Sequence, residues 1–99
     1  MPNKTDDGFY ERADAHINLS NDQLAAADDR GKVSASMLYG TTRFNVWVTA
    51  CGVDSAEQLA ASRQKTLDYF CDQYRLMLEE NLDDYIANFS RYMRPKDVH

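Results

Sequence analysis

Proline is almost missing from this chain, occurring only at Pro2 and Pro95. Between those positions no ring locks φ and no backbone donor is lost, so nothing there forbids a helix. Runs of alternating β-branched residues are missing as well, which removes the period-2 pattern of a half-buried strand. Glycine falls only at Gly8, Gly31, Gly40 and Gly52 and punctuates the chain into three segments.

Cysteine is scarce, with Cys51 and Cys71 the only two. For helices that turn near Gly52 to Asp54 their axial offset is roughly 20 Å at 1.5 Å per residue. A disulfide needs Cα atoms within about 7 Å. Together with His16 and His99 they show no pair at the close spacing of zinc ligands. Each cysteine therefore reads as a small apolar side chain, and neither a metal nor a cofactor is expected. The chain also lacks a Gly-rich phosphate loop, a nucleophile elbow and an HExxH motif. Asp14 and His16, two apart on a helix, point about 200° away from each other and cannot share a substrate. No catalytic residue is assigned, and His16 is expected at the edge of the core, bonded through one ring nitrogen.

Basic charge is sparse: 11 Lys and Arg stand against 16 Asp and Glu, for a net charge of −5. The cations are scattered along the chain (Arg12, Arg30, Lys32, Arg43, Arg63, Lys65, Arg75), so no stripe tracks a phosphate backbone and no nucleic-acid partner is expected. The polar, acidic start from Met1 to Gly8 lacks the basic and apolar regions of an export signal, which points to the cytoplasm. Val33 to Val53 has Arg43 as its single charge, but that arginine together with Ser34, Ser36, Thr41, Thr42, Asn45 and Thr49 argues against a membrane span.

What is present is helical periodicity. The expected fold is all-α, a three- to four-helix bundle with a long C-terminal helical segment. The expected organisation is a single helical domain over 7–93, with a disordered tail at 1–6 and a second tail at 94–99. A first helix is predicted from Asp7 to about Ala27, on the sparse stripe Phe9, Ala13, Ile17 and Leu24, with a weak point at Asn18 to Asp22. A second is predicted from Lys32 to about Cys51, where Val33, Met37, Phe44 and Cys51 align within about 20° at 100° per residue. Its opposite face carries Ala35, Tyr39, Val46 and Ala50, so the helix is nearly uncharged all round. Such a helix is expected to be the most buried element, with Phe44 and Trp47 in the core.

The third segment opens on a capping signal, Asp54 or Ser55 followed by Glu57 or Gln58, and runs to about Met93 without Gly or Pro. Its apolar face shifts by roughly a quarter turn between Leu59–Leu78 and Leu82–Met93, at 100° per residue. A break or kink is expected at Asn81, with acids at Asp83 and Asp84 behind it as a helix start. The alternative is one continuous helix whose distal stripe docks on a second subunit. The acidic cluster Glu79, Glu80, Asp83 and Asp84 reads as a solvated face, with a basic partner or a cation as the alternative.

The stretches Phe9-Tyr-Glu-Arg-Ala-Asp-Ala-His-Ile-Asn-Leu, Gly31-Lys-Val-Ser-Ala-Ser-Met-Leu-Tyr, Leu67-Asp-Tyr-Phe and Met77-Leu-Glu-Glu-Asn-Leu-Asp-Asp-Tyr-Ile resemble a family of small bacterial proteins known only as a domain of unknown function. The resemblance spans about Phe9 to Met93. It implies a helical bacterial protein and supplies no activity, cofactor or site residue.

Two readings of function follow from the residues themselves. One is a non-enzymatic protein-interaction or adaptor module whose partner is another protein or a second copy, in the simplest case a homodimer. Its interface residues would be Tyr39, Val46, Tyr69, Leu76, Tyr85 and Phe89, which lie off the main stripes or on the distal one. The other is a small-molecule binder with a pocket between helices lined by Trp47, Phe70 and Tyr74. An enzyme has no specific feature in its favour.

Overall fold

The computed structural model describes residues 6–27 and 29–93. The chain is all-α, of the helical-bundle class, and 86% of the described residues are helical. Its helices are α1 (Phe9–Ala27), α2 (Arg30–Ala50), α3 (Ala56–Ala61), α4 (Arg63–Ala87) and α5 (Phe89–Tyr92). By its internal contacts the chain divides into two compact units, one ending at Val48 and the other beginning at Thr49, so the division falls inside α2.

In the first unit α1 and α2 form a helical hairpin. The N-terminus of α1 is tied by Asp6. Its carboxylate accepts from the Gly8 N–H at 2.9 Å and pairs with the Arg12 guanidinium at 2.9 and 3.0 Å. Its carbonyl accepts from the Phe9 N–H at 3.1 Å. Of the tails expected at 1–6 and 94–99, residues 1–5 and 94–99 lie outside the described residues. The weak point expected at Asn18 to Asp22 does not break the helix, because propensity is a weak prior that neighbouring turns override.

Helix α2 begins two residues earlier than expected. Asp29 caps it, its carboxylate accepting from the Lys32 N–H at 3.1 Å, so Gly31 sits in the first turn instead of before it. The Ser20 hydroxyl donates to the Met37 sulfur at 3.2 Å. These residues lie at matching distances on either side of the connection, as antiparallel neighbours do. Val33, 8% exposed, is the single buried residue among those described.

In the second unit the capping signal acts as read. Ser55 Oγ accepts from the Gln58 N–H at 3.1 Å, while the Gln58 side chain accepts from the Asp54 N–H at 2.7 Å. That is a capping box with its return bond shifted one residue outward.

The break expected at Asn81 is not there. Helix α4 runs unbroken from Arg63 to Ala87, and the Asn81 amide donates to the Met77 carbonyl at 2.8 Å, one turn back within the helix. The interruptions lie at Ser62 and Asn88. The Ser62 hydroxyl donates to the Leu59 carbonyl at 2.9 Å, the local bond by which serine competes with helical pairing.

At the other end Asn88 donates to the Asp84 carbonyl at 3.0 Å and to its carboxylate at 2.9 Å. The Tyr92 hydroxyl donates to the other Asp84 carboxylate oxygen at 3.0 Å. The Tyr92 ring lies 4.6 Å from that of Tyr85 and beneath the Arg91 guanidinium. Asp84, read from sequence as one of a solvated acidic cluster, is thus the anchor of the C-terminal turn.

Candidate association surface

Burial within this chain is slight. Twenty-two large hydrophobic residues are exposed, against the one buried valine among the described residues. Phe44 and Trp47, expected in the core, are each 61% exposed, and the buried residue of α2 is instead Val33. Sequence patterning reports that a residue will be covered but does not say by which molecule. His16, expected at a core edge, is exposed on α1, and Cys51 and Cys71 are free and exposed as well.

The α2 surface has a definite shape. Tyr39, Gly40, Thr42, Arg43, Phe44, Val46 and Trp47 line an open notch of about 760 Å³ on this one helix. Tyr39 is 65% exposed, and the rings of Phe44 and Trp47 lie 5.6 Å apart at 32°. A Cβ built on Gly40 would meet nothing within 4 Å. Glycine inside a helix is less favourable than alanine by roughly 0.5–1 kcal/mol, and nothing among the described residues packs against Gly40 to offset that cost. Thr41 and Thr42 turn their hydroxyls back to the carbonyls of Met37 and Tyr39, both at 2.9 Å. These bonds satisfy polar groups internally and leave the helix surface more apolar than its composition suggests.

Helix α4 carries the second set. Because it is continuous, its two apolar stripes lie about a quarter turn apart on a single rod. Leu67, Tyr74, Met77 and Leu78 are exposed on one, Leu82, Tyr85 and Ile86 on the other. Tyr69 stands off the first stripe, its ring edge-on to Phe70 at 5.0 Å.

All six residues expected at an interface are exposed: Tyr39 and Val46 on α2, Tyr69, Leu76 and Tyr85 on α4, and Phe89 on α5. Tyr39 and Val46 share the α2 notch.

Among the described residues no three His, Cys, Asp or Glu side chains are grouped to hold a metal ion. No helix of the described residues is long and apolar enough to cross a membrane. The titration of Asp6 is displaced. Its hydrogen bond from Arg12 holds the carboxyl below the usual aspartate value, helped by the Gly8 N–H and opposed by partial desolvation.

A family model described as a protein of unknown function (DUF3144) matches residues 9–86. The chain belongs to this family. A member-like fold is known from the NMR structure of the protein NB7890A from a Shewanella species, which is 36% identical. The two superpose with a TM-score of 0.74 over 91% of this chain and 95% of that one. Among curated proteins nothing matches. The family description assigns no activity.

Proposed function

We propose that this DUF3144 protein is a non-enzymatic protein-interaction module whose exposed apolar faces are covered by a protein partner. The observation that carries this reading is the ratio of one buried residue to twenty-two exposed large hydrophobic ones among the described residues. Isolated exposed apolar side chains are ordinary, but contiguous apolar surface on helix after helix marks interaction sites. The aromatic content supports the same reading, since tyrosine and tryptophan bury large areas while keeping a polar tip wet.

The small-molecule alternative has less support. A ligand site encloses most of its ligand, whereas the α2 notch is open and built from one helix.

Site-directed photocrosslinking in the cell of origin tests the reading, with a photoreactive side chain replacing Leu76 in one variant and Val46 in another. A discrete protein adduct at either position is expected. If neither gives one, and the pure protein is a cooperatively melting monomer that binds no hydrophobic dye, the interaction reading is wrong.

A further inference from the structure

We draw no further inference here: the strongest candidate, the open apolar notch on α2 lined by Tyr39, Phe44 and Trp47, is a surface patch and nothing in the structure shows what covers it.

Discussion

Asp6 shows how much one side chain can do at the edge of a fold. It gathers the Gly8 and Phe9 N–H groups and the Arg12 guanidinium around one residue, closing the first turn of α1. Because its carboxyl titrates below the unfolded value, it stabilises the folded chain above that value and loses the contribution as pH falls through the folded pKa. An NMR titration should place the Asp6 midpoint below the ordinary 3.8, and Arg12→Ala should move it back upward. Phe44 gives the second prediction at this scale. Surface truncations cost within about 0.5 kcal/mol, whereas anchors covered by a partner cost about 2 kcal/mol or more. Phe44→Ala is expected to show the larger value in chemical denaturation above the association threshold. A change near zero there would leave Phe44 outside any interface.

Among the elements, signals carried by neighbouring residues were easier to read than contacts made between turns. The capping box at Ser55 and Gln58 is chemistry written in adjacent letters, and Ser55→Ala should cost about 1 kcal/mol in a denaturant titration. The periodicity of α1, α2 and α4 was equally legible. The break was not, because Asn81 with acids behind it has the letters of a cap, yet its amide bonds back to the Met77 carbonyl and the helix runs on through it. The real stop at Asn88 depends on Asp84 and Tyr92, one turn away on either side, and such a clasp has no contiguous signature. Tyr92→Phe removes one of its bonds. Amide exchange over Phe89 to Met93 should then speed up several-fold while α4 keeps its protection. Uniform protection in the variant would show that the ring contact with Tyr85 suffices alone.

At the scale of the whole molecule the helical class was legible, since apolar residues recur at three and four throughout. Coverage was not. A hydrophobic pattern records which residues avoid water, and Phe44 and Trp47 fit that pattern whether their own chain or another molecule shields them. The net charge of −5 supplies a prediction here. Two copies repel at long range, and salt screens that repulsion while leaving apolar burial intact. Raising NaCl from about 50 to 500 mM should therefore tighten self-association in sedimentation runs. Weakening instead would show that ion pairs between the copies hold them together.

The α1–α2 hairpin turns back at Asp29, and the contact between Ser20 and Met37 closes over a short loop of chain. Loops of that length close in well under a microsecond, and helices grow on a similar clock. Nothing in the hairpin has to wait for distant sequence, so it can assemble on the ribosome while α4 is still inside. If the core is then completed by a second molecule, the slow step is a collision, and wherever degradation competes with pairing the yield of native protein rises more steeply than its rate of synthesis. Neighbouring ribosomes on one messenger would be the natural place for two such hairpins to meet.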